Sequence, residues 1–340
     1  MNGFERISAA LRGEATDKVP VMLHNFQMAA READLTMEQF RNDPGLIAGA
    51  FIQSVERYGF DGILVDVDTA TLAGAVGVPV DFPVQEAART RGALLDDLAG
   101  LGSLKPVRIE NYRYVEIWLE AVKNLKEHFR GEIFIRGNCD QAPFSLATMI
   151  RGMDGFMTDL FMAKEEQVME LLEYCTGVTA QFIDLMAQAG ADMVSNGDSP
   201  AGPELISPEM YERFAFPFEM RIVDTAHAHH LPYALHICGD TSLILDRMKE
   251  TGADAFELDY KTDPGLVLKS LHEKATFIGN IDPSGVLAMG IPDLVESKTL
   301  ELLQIYGDEN RFILNAGCAL PANTPSENIA VFIRTAREYR

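Results

Sequence analysis

The sequence of 340 residues contains no long apolar run and few cysteines. No stretch of about 18 apolar residues is present, so we expect no transmembrane helix and no membrane partner. The first residues, Met-Asn-Gly-Phe-Glu-Arg, lack the basic start and apolar core of a secretory signal. These two absences predict a cytoplasmic protein.

The four cysteines are too few and too widely separated for a disulfide framework. They are Cys139, Cys175, Cys238 and Cys318. In the reducing cytoplasm expected here, free thiols are used for metal binding or thiol chemistry more often than for disulfides.

Positive charge is also scarce, with 29 lysines and arginines against 51 acidic residues and a net charge of -22. Such a surface repels phosphate backbones, and no basic cluster offsets it, which excludes nucleic acid as a partner. The acidic surface could bind a basic protein partner, or it could serve only to keep the protein soluble.

What the sequence does contain is a regular alternation of β-rich and helical segments. Eight apolar segments are predicted strands, at residues 19–23, 62–67, 132–137, 192–196, 233–238, 255–260, 276–281 and 311–315. Helical patterns precede, separate or follow them, at residues 3–13, 112–129, 144–163, 165–189, 241–251, 264–273, 291–306 and 326–339. This alternation predicts a (β/α)8 TIM barrel that forms one domain over residues 1–340, with an open doubly wound sheet as the alternative.

In such a barrel the active site lies at the C-terminal ends of the strands. The fifth predicted strand ends in His236 and Cys238, which point to the same face because side chains alternate along a strand. If Cys318, after the eighth strand, reaches the same point, two thiolates and one imidazole leave one tetrahedral position open, as in a catalytic zinc site. The alternative is that both cysteines are small buried apolar residues and His236 a hydrogen-bonded polar one.

Other polar residues at the same strand ends are candidates for substrate contacts or catalysis. Asp68, Glu257 and Asp259 are predicted catalytic carboxylates, and the last two could also occupy the open metal position. Arg136 suits an anionic substrate tail such as a sulfonate or carboxylate, or it pairs with a carboxylate of the barrel rim. Three further residues are predicted to contact substrate: Asn196, Asp198 and Asn280.

Three segments resemble the uroporphyrinogen decarboxylase superfamily. They are Glu-Arg-Ile-Ser-Ala-Ala-Leu-Arg-Gly-Glu at residues 5–14 with Asp-Lys-Val-Pro at 17–20, Gly-Asn-Ile-Asp-Pro at 279–283, and Thr-Pro-Ser-Glu-Asn at 324–328. The resemblance covers nearly the whole chain and implies a (β/α)8 barrel. It also implies one of two chemistries, a metal-free decarboxylation or a zinc-dependent methyl transfer between a corrinoid and a thiol such as coenzyme M.

Two departures from the decarboxylase pattern favour methyl transfer. Decarboxylases carry an arginine-rich segment after the first strand, but the corresponding residues 24–31 contain a single arginine, Arg31. The Gly-His-Gly of the decarboxylases near the C-terminus is replaced here by Gly-Cys-Ala at residues 317–319. The resemblance to the methyltransferases assigns the zinc to His236, Cys238 and Cys318. Asp68, however, lies in a region similar to that of the decarboxylases' catalytic aspartate.

The resemblance implies that a zinc-bound thiolate of the substrate attacks the methyl group of methylcobalamin. The corrinoid-binding signature Asp-x-His-x-x-Gly is not found in the chain, so the corrinoid is expected on a separate corrinoid protein. Three alternatives remain open: a uroporphyrinogen decarboxylase-like enzyme, a demethylase that carries methyl groups from a donor to the corrinoid, and a non-catalytic corrinoid- or zinc-binding protein. The sequence does not predict the oligomeric state.

Overall fold

A computed structural model describes residues 1–339 of the chain and contains ten strands. These are β1 (Met22–Leu23), β2 (Gly62–Val65), β3 (Val80–Asp81), β4 (Arg89–Thr90), β5 (Phe134–Gln141), β6 (Met193–Gly197), β7 (Tyr233–Ile237), β8 (Ala255–Leu258), β9 (Thr276–Ile281) and β10 (Phe312–Ala316). β3 and β4 form a separate antiparallel hairpin, and the other eight pair in parallel in the order of the chain.

The eight-stranded sheet closes on itself, because the chain just before β1 pairs with β10. Val21 bridges to Leu314 in parallel, and the Leu314 N–H donates to the carbonyl of Pro20 at 2.8 Å. The closed sheet confirms the predicted (β/α)8 barrel and excludes the open doubly wound alternative. The first strand is shorter than the predicted 19–23, and Pro20 has no N–H to donate to a neighbouring strand.

In the described part of the chain, residues 1–339, fifteen helices pack around the barrel. They are α1 (Gly3–Arg12), α2 (Phe26–Glu32), α3 (Met37–Asn42), α4 (Pro44–Tyr58), α5 (Thr71–Val76), α6 (Arg113–Phe129), α7 (Pro143–Arg151), α8 (Met153–Met162), α9 (Glu165–Ala189), α10 (Pro208–Phe214), α11 (Phe216–Ala228), α12 (Leu245–Lys249), α13 (Pro264–Leu271), α14 (Pro292–Tyr306) and α15 (Ser326–Glu338). Short 3-10 helices occupy Leu98–Ser103, Ile109–Asn111 and Ser199–Ala201, and a short π-helix occupies Pro283–Ala288. Within residues 1–339, no helix combines the length and the apolarity needed to cross a membrane.

Two predicted helices differ from the structure. The helix predicted over 144–163 is interrupted at Gly152, whose φ of +79° lies in the left-handed region and separates α7 from α8. The helix predicted over 241–251 is reduced to α12. The residues before it form a turn in which the Ile244 N–H donates to the Thr241 carbonyl at 2.9 Å, and the Thr241 N–H donates to Thr262 Oγ1 at 3.0 Å.

Six helices were not predicted, namely α2, α3, α4, α5, α10 and α11. The α4 boundaries nevertheless carry clear local signals. Asp43 accepts from the N–H groups of Gly45 and Leu46, Pro44 occupies the first turn, and Gly59 ends the helix. Capping residues identify this helix better than its apolar pattern does.

The inside of the barrel is apolar at one end and polar at the other. At the N-terminal end of the strands, α1 contributes Ile7 and Leu11 to a buried cluster with residues such as Phe134 and Ile313. Each such side chain stabilises the fold by about 1.5–3 kcal/mol. Further along the strands the inward positions become polar, and this layer forms the floor of the site described next.

Candidate metal centre and active site

A cavity of about 290 Å³ opens at the C-terminal end of the barrel strands. Its wall includes six polar residues from five different strands or the loops that follow them: Asp66, Arg136, Asn196, His236, Cys238 and Glu257. Cys318, which follows β10, completes one side. The cavity therefore lies where the barrel architecture predicts an active site.

Three predicted metal ligands converge in this cavity. His236 Nε2 lies 3.0 Å from Cys238 Sγ, and Cys238 Sγ lies 3.7 Å from Cys318 Sγ. One ligand atom from each residue lies within 4.8 Å of the other two. Alternation along β7 places the first two residues on one face, as the sequence predicted.

The position of Cys318 depends on the glycine before it. A Cβ on Gly317 would lie 2.6 Å from the backbone nitrogen of Tyr260, so no larger residue fits without moving the backbone. This close approach brings the loop after β10 against the loop after β8. Cys318 thereby reaches Cys238 across 80 positions of sequence.

The electrostatics of the three side chains are those of a cation site. The hydrogen bond from Cys318 and the nearby His236 lower the pKa of Cys238 to about 3 despite burial. The same shared proton and burial raise the pKa of Cys318 well above its ordinary value. Two sulfurs this close that share one proton can both become anionic only when a cation compensates them.

His236 is held in one orientation by the backbone. Its Nδ1 lies 3.0 Å from the carbonyl oxygen of Glu257, an acceptor only, so Nδ1 carries a proton. Nε2 is therefore the nitrogen directed at Cys238 Sγ, and although burial lowers the pKa of His236, the neighbouring thiolate raises it to about 9. The Cys238 N–H donates to Ser199 Oγ at 3.2 Å. Such contacts around a ligand set its tautomer and direction before a metal binds.

Glu257 and Arg136 form a buried ion pair in the floor of the cavity. Arg136 Nη1 lies 2.5 Å from Glu257 Oε2, and both side chains are at most 2 % exposed. Burial alone would raise the pKa of Glu257, but the charges of Arg136 and His24 hold it well below its usual range. Glu257 is thus an anion at neutral pH, and its partners are a guanidinium and an imidazolium.

His24, which directly follows β1, lies between two carboxylates. Its Nε2 is 2.7 Å from Asp66 Oδ2, and its Nδ1 is 3.4 Å from Glu257 Oε1. Burial lowers the pKa of His24, but the two carboxylates raise it to about 9. Sequence reasoning did not select His24, although its place after the first strand is the same signal that selected the other residues at strand ends.

Four of the predicted site residues do not line the cavity, namely Asp68, Asp198, Asp259 and Asn280. Asp259 accepts from the N–H groups of Gly239 and Lys261, and Asn280 donates to the carbonyls of Asp259 and Thr262. These two residues brace the loops after β7 and β8. They hold the loop that carries Cys238, a predicted metal ligand, from outside the cavity.

Asp198 and Asp68 are likewise engaged with nearby groups. Asp198 Oδ1 accepts from the N–H and the hydroxyl of Ser145, both at 2.7 Å, and burial raises its pKa to about 6. Asp68 Oδ1 accepts from Ala70 N at 2.9 Å and from Thr71 Oγ1 at 3.0 Å. Both carboxyls stabilise the starts of the segments that follow the strands.

Asn196 does line the cavity, but its polar atoms already have partners. Its Nδ2 donates to the Cys139 carbonyl at 2.6 Å, and its Oδ1 accepts from the Tyr233 hydroxyl at 3.0 Å. Of the four predicted substrate contacts, only Arg136 and Asn196 therefore face the cavity.

A family model described as uroporphyrinogen decarboxylase (URO-D) matches residues 2–339. The chain belongs to this family. The resemblance inferred from the three sequence segments is thereby confirmed, and the family's two chemistries become the alternatives to compare with the cavity.

Relatives of both kinds share the full length of the chain. A protein named methylcobamide:CoM methyltransferase MtbA from Methanosarcina mazei is 29% identical over 342 residues, covering 99% of this chain and 98% of its own. A uroporphyrinogen decarboxylase from Parasynechococcus marenigrum is 27% identical, covering 96% of this chain and 94% of its own.

Among solved structures, a methyltransferase from Methanosarcina mazei superimposes with a TM-score of 0.90 at 22% identity, covering 99% of both chains. A structure titled putative vitamin-B12 independent methionine synthase from Listeria monocytogenes gives a TM-score of 0.57 at 12% identity, covering 96% of both chains. At these identities the two structures support the fold of this URO-D family member and nothing finer.

Proposed function

We propose that this protein is a zinc-dependent methyltransferase that moves a methyl group between a corrinoid and a thiol such as coenzyme M. The observation that carries the proposal is the convergence of His236, Cys238 and Cys318 within 4.8 Å in the wall of the cavity. Full-length relatives named methylcobamide:CoM methyltransferase support it.

The donor set fits Zn²⁺. Two thiolates and one imidazole are ligands that zinc prefers, and three protein ligands leave one position of a tetrahedron for a substrate. When bound, the ion would lower the pKa of a thiol substrate so that its sulfur is held as a nucleophilic thiolate. Two anionic ligands keep the charge on the metal small, which favours an electron-rich substrate sulfur.

The protein's own residues prepare the cavity for this reaction. The Glu257 carbonyl fixes the tautomer of His236, and Ser199 holds the backbone of Cys238. The charges of Arg136 and His24 are matched by those of Glu257 and Asp66, so the floor of the cavity carries little net charge. Because each carboxylate in the floor is paired with a cationic side chain, no free carboxylate competes with the thiol for the metal.

In the proposed reaction, the carbon–sulfur bond forms as the cobalt–carbon bond breaks. The thiol loses its proton, the methyl group moves to sulfur, and the electron pair of the cobalt–carbon bond remains on cobalt as Co(I). No oxidant or reductant is consumed, so the reverse direction, from a methylated donor to the corrinoid, uses the same groups. The methyl group is supplied by a corrinoid that we propose is carried on a separate corrinoid protein.

Decarboxylation of a polycarboxylate is the second candidate. Relatives named uroporphyrinogen decarboxylase support it, as do the carboxyl groups of Asp66 and Asp140 in the cavity wall. Several substrate carboxylates would need several arginines to hold them. Of the arginines in residues 1–339, only Arg136 lines the cavity wall, and it is already paired with Glu257.

The test is a comparison of metal content and methyl transfer in one preparation. We expect close to one zinc per chain, and Co(I) formation from methylcobalamin in the presence of a thiol, followed by visible absorbance. Coenzyme M, 3-mercaptopropionate and homocysteine form the thiol panel, and a porphyrinogen carboxylate tests the second candidate. A chain without zinc, or one that methylates no thiol while releasing CO2 from the porphyrinogen, contradicts the proposal.

A further inference from the structure

A second cavity, of about 530 Å³, adjoins the cavity of the metal ligands. The two share three residues in their walls: Thr69, Gln141 and Ser199. Ser199 also accepts the N–H of Cys238, so this second space begins one hydrogen bond away from a proposed metal ligand. We call it the vestibule.

Among residues 1–339, no ionisable side chain lines the vestibule, although 24% of the residues in the chain are charged. Its polar members carry hydroxyl or amide groups: Thr69, Thr90, Gln141, Thr148 and Ser199. Glycine, alanine, methionine and proline residues form the rest of the wall. A neutral wall that offers hydrogen bonds selects a ligand surface that is polar and uncharged, because an ion would lose hydration there without a counter-charge.

The vestibule is built from segments that are tied together. The N–H groups of Leu94 and Leu95 both donate to the carbonyl of Ile150, at 2.8 and 3.0 Å. A Cβ on Gly152 would lie 3.4 Å from that of Ala93, so the segment after β4 packs directly on the end of α7. The wall is therefore preorganised before any ligand binds.

Gln141 provides a directed hydrogen-bonding group between the two cavities. Its Nε2 donates to the Thr69 carbonyl at 3.3 Å and to Asp140 Oδ1 at 3.0 Å. A backbone carbonyl can only accept, which identifies the amide nitrogen. The amide oxygen, which has no hydrogen-bond donor among residues 1–339, remains available to accept from a ligand N–H.

We propose that the vestibule binds the amide-bearing edge of the corrinoid ring, an inference that rests on the methyl transfer proposed above. The periphery of a corrinoid carries neutral acetamide and propionamide groups, which donate and accept hydrogen bonds as the vestibule requires. The small thiol then occupies the inner cavity beside the metal ligands. A substrate edged with carboxylates finds no cation in this wall.

The test introduces a negative charge at the wall and measures corrinoid binding directly. Ala93→Glu and Thr90→Glu change an exposed and a half-buried residue of the wall, and Ala330→Glu on the outer face of α15 is the matched control. Hydroxocobalamin binding is measured by ultrafiltration and absorbance, and KM is measured separately for methylcobalamin and for the thiol. We expect the two wall variants to weaken hydroxocobalamin binding and raise the methylcobalamin KM by on the order of tenfold.

The thiol KM and the zinc content of both wall variants should match those of the control. Unchanged hydroxocobalamin binding in both wall variants, or a raised thiol KM with an unchanged methylcobalamin KM, overturns the inference. If the natural chain methylates no thiol, the proposed function fails, but hydroxocobalamin binding that Ala93→Glu weakens still supports a corrinoid site in the vestibule.

Discussion

The two sides of the inner cavity are built on opposite principles. On the thiol wall, His236, Cys238 and Cys318 point at one another and leave a common point free for a ligand. On the carboxylate wall, formed at the C-terminal ends of β2 and β5, Asp66 and Asp140 are each hydrogen-bonded to protein groups. Metal-ligand atoms that converge and need a cation indicate a reactive site. Carboxylates that already accept hydrogen bonds from the protein hold the loops in place.

The aspartates of the carboxylate wall have a structural role, because each is hydrogen-bonded to the backbone. Asp140 Oδ2 accepts the N–H of Leu72 at 2.7 Å, and burial raises its pKa well above the ordinary value. Asp66 Oδ1 accepts the N–H of Val67 at 2.8 Å, while its other oxygen holds His24. Each aspartate thus satisfies a backbone donor that would otherwise be buried without a partner.

The largest effect should follow from a change to the thiol wall. Cys238→Ser replaces a thiolate by a hydroxyl, a poor zinc ligand, and we expect zinc content to fall far below one per chain and methyl transfer to fall by at least about 100-fold. Atomic emission and Co(I) absorbance measure the two losses. Cys175→Ala removes a buried thiol of α9 and should retain both zinc and activity. A zinc content close to one per chain in Cys238→Ser would contradict the proposal that the thiol wall binds the metal.

The next effect concerns the ion pair that joins the walls. Glu257→Gln leaves the buried guanidinium of Arg136 without a counter-charge, and we expect the free energy of unfolding to fall by about 3–5 kcal/mol. Urea unfolding measures the change. Glu301→Gln, which breaks an exposed pair with Lys298 on α14, is the control and should have no measurable effect on stability. Equal stabilities of the two variants would contradict a structural role for the buried pair.

A smaller effect should appear in the pH dependence of stability. The pKa of His24 is raised to about 9, so the stability that its protonated form adds is complete below its ordinary pKa of 6.5 and is lost as the pH rises through about 9. Asp66→Asn lowers this pKa by removing one partner. The difference in unfolding free energy between the natural chain and the variant should therefore be largest near pH 6 and narrow toward pH 10. A difference that is constant with pH would show that His24 is neutral.

The smallest effect is expected at Asp68, which lies behind the carboxylate wall. Asn at this position retains an oxygen that can accept from Ala70 and Thr71, so Asp68→Asn should change the rate of methyl transfer by less than about twofold. The same Co(I) assay measures it. Loss of activity comparable to that of Cys238→Ser would reverse the comparison and favour the carboxylate wall as the reacting side.

The barrel was predictable because each strand and its alternation are local properties. Apolar segments bounded by turns located all eight barrel strands, and period-two alternation placed His236 beside Cys238. Helix boundaries were less predictable. The break at Gly152 depends on one backbone angle, and the residues before α12 form a turn with a bond between Ile244 and Thr241 where the apolar pattern predicted a helix.

The barrel, the family and the three residues proposed as metal ligands could be predicted from the sequence, because they follow from periodicity and from motifs along the chain. Which polar residues at the strand ends face the cavity depends on how distant segments pack together. Asp66 and Asp68 are two positions apart at the end of one strand, yet Asp66 lines the cavity and Asp68 does not. The physical reason is that an acidic side chain turns toward the donors around it, and those donors come from segments that are distant in sequence.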